Sequence, residues 1–297
     1  MELSIIIVSY NTKEHLKSCL KSIYELFCSG QCEVIVVDNG STDSSTTMIK
    51  KQFPWVRLIE NNKNIGYARA TNQGIKFAKG EYILLLNPDT ENIDHGIEKT
   101  FGFIKTNPEI QAVTCRVELP SGELDWACHR GFPTPWASLC YFLKLDRLFP
   151  RTPFFCKYHL TYLPLDSIHE IDSPSGCFFL IKRTLLDKVG LLDEDYFCYG
   201  EDVDLAFRIK KANGKIFFYP HAKIVHYKGI ASGIKSHSQH ISQASKRSRL
   251  LAISYFYSAM WIFYKKHYKK IYPAFISYLV YIGIKLKKML SILKLRV

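Results

Sequence analysis

The stretch CYGEDVDLAFRI, residues 198–209, places three carboxylates within four positions, directly before an apolar pattern typical of a helix. They belong to Glu201, Asp202 and Asp204. Acidic side chains in a first helical turn cap free backbone N–H groups and complement the helix dipole. The alternative is a chemical role, because a positioned carboxylate can take a proton from a reacting group. The stretch alone leaves both interpretations open.

Polar clusters also end the apolar runs of the N-terminal half. Buried strands are predicted for SIIIVSYN (4–11), EVIVVDNGSTD (33–43, ending at Asp38), WVRLIEN (55–61) and EYILLLNPDTE (81–91). Helical spacing follows the first three strands, at 13–26, in STTMIKKQF, and at 66–80, closed by Gly80. This alternation indicates an α/β fold with a parallel, doubly wound sheet. Because ligands bind at the carboxyl ends of such strands, SYN, DNGSTD and NPDT should converge on one crevice.

A dinucleotide-binding enzyme is the first alternative for such a sheet. Its fingerprint is a glycine-rich turn after the first strand, which lets the backbone approach a pyrophosphate. The first turn here is SYNTKE and contains no glycine. Asp38 could still contact a ribose, but the missing glycines argue against a dehydrogenase.

The second half of the chain is less regular. A helix and the strand QAVTCRV are predicted within 92–115, and a strand and a helix within 170–190. A helix then runs to about Asn213, followed by the strand KIFFYP and the segment AKIVHYKG, which carries His226. Residues 116–170, rich in proline and aromatic side chains, predict long loops and short helices over the crevice. Loops of this length in a compact domain are usually functional, so specificity is expected there.

The composition is that of a globular protein, with 47% hydrophobic and 23% charged residues. The net charge of +13 is unevenly distributed, because residues 205–297 hold 19 Lys and Arg and no acids. This asymmetry indicates an anionic partner such as a nucleic acid, an anionic lipid or a phosphorylated substrate. Nine cysteines without a CxxC pair, and an N-terminus unlike a signal peptide, predict reduced, mostly buried thiols in the cytoplasm.

Seven motifs in order resemble family 2 glycosyltransferases of the GT-A fold, most closely the bacterial rhamnosyltransferase-like branch. They are SIIIVSYN, EVIVVDNGSTD, NNKNIGYARATNQGI, YILLLNPDT, DSPSGCFFLIKR, VGLLDEDYFCYGEDVDLAFRI and IVHYKG. The resemblance covers roughly residues 3–230. It implies a hexosyltransferase with a Rossmann-like, mostly parallel central sheet and flanking helices.

The resemblance assigns the donor nucleotide to the ends of the first strands. Asp38 would contact the base or ribose. The other positions implied for the nucleotide pocket are Tyr10, Asn11, Asn39, Gly66, Arg69, Asn72, Asn87 and Asp89. Asn11 and Gly66 could instead only shape turns, and Arg69 could be a solvated helix residue.

A metal site is also implied by the resemblance. NPDT stands at the position of the family's DxD motif, but Asn87 replaces the first aspartate, so only Asp89 is a full carboxylate. His226 matches a histidine that completes the site. A divalent cation bridging two phosphates, Mn²⁺ or Mg²⁺, would therefore be held by Asp89 and His226, and imidazole suits Mn²⁺ better.

In similar enzymes the aspartate directly after the glutamate is the general base, which here is Asp202. An inverting transfer needs such a carboxylate opposite the leaving nucleotide, where it accepts the proton of the attacking hydroxyl. Glu201 would position the acceptor, and Asp204 would cap the helix or act as a supporting partner. Asp172, Ser173 and Gly176 would line the donor sugar or the acceptor edge.

The composition changes from Lys246 onward, with twelve Lys and Arg among many aromatic residues. The apolar stretch 271–284 is shorter than the about 20 residues of a membrane-spanning helix. We therefore divide the chain into a catalytic domain, 1–245, and a helical tail, 246–297, lying on an anionic membrane surface. Packing of the tail onto the domain is the alternative. Nothing else resembles a nucleic-acid module, so nucleic acid is not an expected partner.

The combined hypothesis is an inverting glycosyltransferase peripheral to the cytoplasmic face of the plasma membrane. It would move a sugar, plausibly L-rhamnose from dTDP-rhamnose, to a cell-surface polysaccharide or lipid-linked glycan. One alternative is a UDP-sugar or galactofuranose donor. Another, suggested by Asn87, is a non-catalytic nucleotide-binding or scaffold protein of the same fold.

Overall fold

A computed structural model describes residues 1–229 and 245–295. Nine strands of these residues form one sheet in the order β3-β2-β1-β4-β8-β6-β9-β5, and β7 pairs with β9. The strands are β1 (Leu3–Ser9), β2 (Cys32–Asp38), β3 (Arg57–Glu60), β4 (Tyr82–Leu86), β5 (Thr90–Asn92), β6 (Ala112–Glu118), β7 (His169–Ile171), β8 (Phe178–Lys182) and β9 (Ile216–His226).

Helices cover both faces of this sheet, as continuously apolar strands require. They are α1 (Lys13–Ser22), α2 (Tyr24–Cys28), α3 (Ser45–Gln52), α4 (Tyr67–Phe77), α5 (Gly96–Thr106), α6 (Pro135–Phe142), α7 (Leu145–Leu148), α8 (Arg183–Val189), α9 (Glu201–Lys211), α10 (Lys246–Phe263) and α11 (Ala274–Lys294). Strands β1 to β4 are parallel to one another, which confirms the predicted alternation. Their core-facing residues are buried, and every residue of β1 is inaccessible to solvent or nearly so.

The second half of the sheet is mixed, so the expectation of a mostly parallel sheet holds for β1 to β4 and for the pair β6–β9, but not for β5, β7 and β8. Strand β8 is antiparallel to both β4 and β6. It begins beside the end of β4, where the backbone N–H of Asn87 donates to the carbonyl of Cys177. The preceding segment thus stays at the carboxyl edge of the sheet, and β8 enters from that edge without a crossover.

Several predicted boundaries move. The helix predicted over 13–26 is divided at Ile23 into α1 and α2. KIFFYP and AKIVH form one strand, β9, whose pairing with β6 shifts register between Cys115 and Arg116. Gly80 does not close α4, which ends at Phe77. A Cβ atom at Gly80 would lie 2.7 Å from the backbone nitrogen of Ser4, so this position needs glycine for a close approach to β1.

Residues 119–168 form the predicted irregular region. A 3-10 turn at Trp126–Cys128 and the short helices α6 and α7 are its regular elements. All nine cysteines lie in the first 229 residues, and none of them is disulfide-bonded. Seven are buried, whereas Cys28 is exposed and Cys198 is half-buried.

The tail forms α10, a π-helical turn at Tyr264–Tyr268, and α11. Its helix α10 packs on the segment before α9, through a buried cluster formed by Tyr196, Ala259, Phe263, Tyr264 and Tyr268. Helix α11 packs on α10 and has no buried residue. Within residues 1–229 and 245–295, every helix is too short or too polar to cross a bilayer.

Candidate active site

The polar ends of β1, β2 and β4 lie side by side. Ser9 pairs with Asp38 in the register of β1 and β2, and Ile7 pairs with Leu86 in that of β1 and β4. The N–H of Asn39 donates to the carbonyl of Ser9 over 2.8 Å. The three polar clusters therefore meet at one edge of the sheet, as the alternation predicted.

Asp38 offers an unused acceptor in this crevice. Its Oδ1 accepts the N–H of Ser41 at 2.9 Å, whereas Oδ2 is buried without a hydrogen-bond partner among the described residues. Asn11, in a left-handed conformation at φ 53°, joins the two loops by accepting the N–H of Thr42. A buried carboxylate oxygen without a partner is costly, so a ligand hydroxyl or N–H group is its natural complement.

Asn39 and Gly66 shape the adjoining loop. The amide of Asn39 bonds Asn61, Asn64 and the backbone at 65 and 66, so it holds residues 61–66 in place. Gly66 has φ 94°, and a Cβ there would lie 2.8 Å from the carbonyl oxygen of Phe197. These contacts give both residues a turn-shaping role, and direct contact with a nucleotide stays a prediction.

The remaining predicted nucleotide residues differ in their contacts. Tyr10 is 41% exposed, and Arg69 pairs at 3.5 Å with Glu194 at the surface. Asn72 is buried, and its two N–H donors are used by the carbonyl of Leu192 and by Glu194. The structure thus shows Asn72 holding the loop after α8, a structural role that its position in the motif did not indicate.

Asp89 and His226 meet beside the crevice, as predicted. His226 Nε2 lies 3.3 Å from Asp89 Oδ1 but is buried without hydrogen-bond geometry to any described group. On the other side of the ring, Nδ1 lies 3.1 Å from Oδ2 of Asp125. Asp125 also forms an ion pair with Lys228. Burial alone would raise the pKa of both Asp89 and Asp125. The charge of His226 lowers the pKa of both, and Lys228 also lowers that of Asp125. The net pKa of each is below its ordinary value, so both carboxylates are ionised.

This arrangement fits a divalent cation. A histidine that binds a metal through one ring nitrogen usually donates its other N–H to a carboxylate, which fixes the tautomer. Asp125 takes that second position here, and Nε2 faces Asp89. Burial lowers the pKa of His226, but Cys177, Asp89 and Asp125 more than offset this and raise it, so a bound cation would replace the proton on Nε2. The ligand atoms of Asp125, Cys177 and His226 also lie within 4.8 Å of one another, in a group that does not include Asp89. The side-chain oxygen of Asn87 accepts from the hydroxyl of Tyr67 at 3.4 Å, and its contact with a ligand stays a prediction.

Asp202 stands at the start of α9 and is held from three directions. Its Oδ2 accepts from Nη2 of Arg130 at 3.0 Å and from the N–H of Gly176 at 3.2 Å. Its Oδ1 accepts the N–H of Val203. A Cβ at Gly176 would lie 3.6 Å from that of Asp202, so the predicted sugar-lining glycine also backs the predicted base.

Glu201 is buried beside this pair. Burial and the nearby Asp202 raise its pKa to about 8, although its own backbone N–H and Arg130 act in the opposite direction. Its Oε2 has no hydrogen-bond partner among the described residues. Near neutral pH a large fraction of Glu201 is therefore protonated, and it can donate a hydrogen bond to an acceptor atom in the crevice.

Asp204 does not cap α9, because the helix begins after Gly200 without a side-chain cap. It is buried among Arg208 at 2.8 Å, His267 at 2.6 Å and the hydroxyl of Tyr196. His267 lies in the π-helical turn, so Asp204 connects the tail to α9. Of the two roles predicted for Asp204, helix capping is wrong and that of a supporting partner stays a prediction. The three carboxylates have three different surroundings.

Asp172 and Ser173 lie next to Arg130 in space. Asp172 accepts the N–H of Phe132 at 3.3 Å, and burial raises its pKa despite the opposing effect of Lys210. Ser173 is fully buried, and its hydroxyl donates to the carbonyl of Pro174. The backbone N–H groups of both residues donate to the carbonyl of Arg130, and their contact with a sugar stays a prediction.

Comparison with known sequences identifies the chain. Residues 4–190 match the profile of Glycosyl transferase family 2. The chain belongs to this family. This glycosyltransferase is 27% identical over 270 residues to the N-acetylglucosaminyl-diphospho-decaprenol L-rhamnosyltransferase of Mycobacterium tuberculosis, covering 87% of this chain and 86% of the relative. It is also 27% identical over 219 residues to the low-salt glycan biosynthesis hexosyltransferase Agl10 of Haloferax volcanii, covering 71% and 62%.

Solved structures confirm the GT-A fold. The mannosyltransferase PcManGT of Pyrobaculum calidifontis, in complex with GDP-Man and Mn²⁺, superimposes with a TM-score of 0.58 at 16% identity, covering 99% of this chain and 73% of that one. TarS of S. aureus, residues 1–349 in complex with UDP, gives 0.52 at 17% identity, covering 85% and 65%. At such low identity the likeness concerns the fold alone.

Four residues of the glycosyltransferase site were not predicted from the sequence. Arg130 pairs with Asp202, Asp125 with His226, and His267 with Asp204, across 72, 101 and 63 residues. Tyr67 reaches Asn87 and the carbonyl of Gly176. Arg130 and Asp125 lie in the irregular region, where no periodicity indicates which side chains point inward. The signal available for Tyr67 was its place within a matched motif.

Proposed function

We propose that this glycosyltransferase moves L-rhamnose from dTDP-rhamnose, with inversion, to a hydroxyl group of a lipid-linked or cell-surface glycan. The observation that carries the transfer chemistry is the carboxylate of Asp202, held at the crevice by Arg130 and Gly176. The choice of rhamnose and of a lipid-diphosphate-linked acceptor is supported by the mycobacterial relative, which matches nearly the whole chain.

In the proposed reaction Asp202 accepts the proton of the acceptor hydroxyl as that oxygen attacks the anomeric carbon. The bond from this carbon to the diphosphate breaks on the opposite face, which gives inversion. Arg130 and the N–H of Gly176 fix one carboxylate oxygen, so the base keeps its orientation while the proton is transferred. Glu201, largely protonated, donates a hydrogen bond that orients the acceptor.

The donor nucleotide is placed at the ends of β1 and β2, with the free oxygen of Asp38 toward its base or ribose. Asp89 and His226 would hold Mn²⁺ or Mg²⁺, which supplies charge compensation for the leaving diphosphate. The buried, unpartnered Nε2 of His226 supports this assignment. PcManGT, of the same fold, is described with GDP-Man and Mn²⁺.

Two alternatives have specific support. TarS, of the same fold, is described with UDP and with UDP-GlcNAc, so a UDP-sugar or galactofuranose donor is the alternative within the same chemistry. Asn87 in place of a carboxylate favours a non-catalytic nucleotide-binding protein. The complete surroundings of Asp202 argue against loss of catalysis.

Peripheral attachment to the cytoplasmic face of the plasma membrane is also part of the proposal. It is supported by α11, which has no buried residue and exposes Phe275, Tyr278, Leu279, Met289 and Leu290. Lys285, Lys287 and Lys288 lie on the same helix, and residues 246–297 hold no acids. Aromatic and cationic side chains on one helix are typical of the membrane interface.

The first experiment measures thermal stability with dTDP, UDP, GDP or NAD, each with and without Mn²⁺. Stabilisation by dTDP that requires Mn²⁺ is expected.

The second experiment compares Asp202→Asn with the exposed control Asp187→Asn, using dTDP-rhamnose and an N-acetylglucosaminyl-diphospho-prenol acceptor. Asp202→Asn should keep dTDP binding and lose about 10²–10⁴-fold in rate, the usual contribution of a general base. Near-normal transfer by Asp202→Asn would mean that another group is the base.

A further inference from the structure

The irregular region exposes a second apolar surface. Within α6, α7 and the turn that follows, seven large apolar side chains are exposed: Trp136, Leu139, Tyr141, Leu143, Leu148, Phe149 and Phe154. Leu143 and Leu148 are 61% and 68% exposed, among the highest values for large apolar side chains in residues 1–229 and 245–295. Soluble proteins rarely expose contiguous apolar surface of this kind unless it binds something.

The exposed charged side chains of residues 135–157 are all positively charged. Lys144, Arg147, Arg151 and Lys157 are exposed. The one acid between residues 135 and 157 is Asp146, whose side chain is only 11% exposed and lies 4.0 Å from His159. The segment therefore offers positive charge and apolar side chains together.

This surface adjoins the tail. The ammonium group of Lys287 on α11 lies 4.8 Å from the ring centre of Phe142 at the end of α6. Within the tail, the hydroxyl of Tyr257 on α10 lies 2.7 Å from that of Ser291 on α11. Two segments more than a hundred residues apart in the sequence are thus neighbours in space.

We propose that α6, α7 and α11 together form one membrane-binding face, hereafter the basic apolar face, which docks on an anionic lipid bilayer. This inference rests on the peripheral attachment proposed above and extends it from the tail to the irregular region. An anionic bilayer complements both properties of the face, because headgroups attract the cations and the acyl boundary takes up the apolar side chains. A second copy of the chain would instead bring like charges together.

The face has a direct connection to the base. Tyr158 packs on Tyr141, with ring centres 5.0 Å apart, and its carbonyl accepts the N–H of Gly131, the residue after the Arg130 that holds Asp202. Docking through α6 and α7 would therefore bring the crevice to the bilayer surface, where a lipid-linked acceptor presents its sugar. Attachment through α11 alone would not require this orientation.

The test is co-sedimentation of the full chain with vesicles made of equal amounts of phosphatidylcholine and phosphatidylglycerol. The variant Leu143→Ser/Leu148→Ser should bind these vesicles at least about tenfold more weakly than wild type, because each exposed leucine loses apolar burial. The control is Ile168→Ser, which removes an aliphatic side chain that is 42% exposed and lies outside the face. Since all three side chains are exposed, thermal stability should not change.

A second variant tests the charge. Arg147→Glu/Arg151→Glu should lose binding to the anionic vesicles at low salt, whereas Lys51→Glu/Lys79→Glu, equally exposed but outside the face, should not. Wild-type binding by both α6–α7 variants would overturn the proposal and leave α11 as the attachment site. A wild-type dimer that the leucine variant converts to a monomer would overturn it in favour of self-association. If the wild-type protein does not bind the vesicles but Asp202→Asn still abolishes transfer, the membrane proposal is wrong and the catalytic proposal stands.

Discussion

Arg130 and Asp202 form a largely buried ion pair, with Nη2 of the arginine 3.0 Å from Oδ2 of the aspartate. The side chains are 13% and 14% exposed. The same guanidinium nitrogen donates to the carbonyl of Pro174 at 2.8 Å. The arginine therefore binds the proposed general base and the backbone before β8 at once. It fixes the carboxylate relative to the sheet, although it lies in the region with the least regular structure.

Replacing Arg130 should impair the chemical step more than donor binding. Arg130→Gln removes the charge that faces Asp202, and we expect kcat to fall by about 10²-fold with little change in the KM of the donor. Arg130→Lys keeps the charge but loses the fork geometry, so it should recover part of this loss. Steady-state kinetics at saturating acceptor measure both effects.

The control for this prediction is Arg57→Gln, which changes an arginine that packs on Phe77 at the surface. It should leave kcat within about twofold of wild type, as surface substitutions usually have small effects. Equal losses in Arg130→Gln and Arg130→Lys, or a loss confined to KM, would show that Arg130 does not position the base.

Asp125 should set the metal affinity without touching the metal. Asp125→Asn keeps the cap of the 3-10 turn, because an amide oxygen can still accept the N–H of Ala127. It removes the carboxylate that orients His226, and such outer partners typically change metal affinity by about 10–100-fold. Calorimetric titration of Mn²⁺ in the presence of dTDP measures the change. Asp94→Asn, at an exposed position, is the control, and an unchanged Mn²⁺ affinity in Asp125→Asn would remove Asp125 from the site.

How far the sequence predicts this site depends on the range of the interactions. Strands β1, β2 and β4 were predictable because burial on both faces makes them continuously apolar, and parallel strands place Asp38 and Asp89 at one edge. The antiparallel direction of β8 could not be predicted from the sequence, because it follows from the path of residues 119–177 over the crevice. A local pattern carries no information about that path.

The sequence also did not predict which residues the site residues contact. Asn72 stands in a motif that implies nucleotide binding, yet its amide holds the backbone of Leu192 in both directions. Asp204 follows the pattern of a capping acid but bonds His267 from the tail. In both cases a long-range contact decides the role of the side chain, and local spacing predicts only the element that carries it.

Glu201→Gln should stabilise the protein above neutral pH. A carboxyl whose pKa is raised on folding, here to about 8, is more costly to ionise in the folded state than in the unfolded state. Its penalty is absent at pH 4, grows between about pH 4.5 and pH 8, and is complete above that range. The glutamine side chain of the variant cannot ionise, so the gain in Tm over wild type should rise across the same interval.

The measurement is the difference in Tm between Glu201→Gln and wild type from pH 5 to pH 9. We expect it to grow by more than about 3 °C, which corresponds to roughly 1 kcal/mol in a chain of this size. Glu123→Gln, at an exposed position, should give a flat difference. A flat difference in Glu201→Gln as well would mean that Glu201 ionises as freely in the folded chain as in the unfolded one.

The contact between His267 and Asp204 makes the tail a structural part of the catalytic domain. Their atoms lie 2.6 Å apart, and around them Tyr255 stacks on Phe197, whose carbonyl accepts the N–H of Tyr67. His267→Leu would leave one oxygen of the buried Asp204 short of its main partner, at a cost of about 1–3 kcal/mol. His267→Gln keeps a side-chain N–H and should lose less. Chemical denaturation and kcat measured together test this, because α9 also carries Asp202.

We therefore expect Tm and kcat to fall together in His267→Leu, with partial recovery in His267→Gln and no change in the exposed control His221→Leu. Deletion of residues 246–297 would expose the cluster around Tyr196 and should prevent stable folding, rather than simply release an active domain from the membrane. A soluble, fully active fragment 1–245 would show that the tail is an independent unit. In that case membrane attachment, and not packing on the catalytic domain, would be the remaining role of the tail.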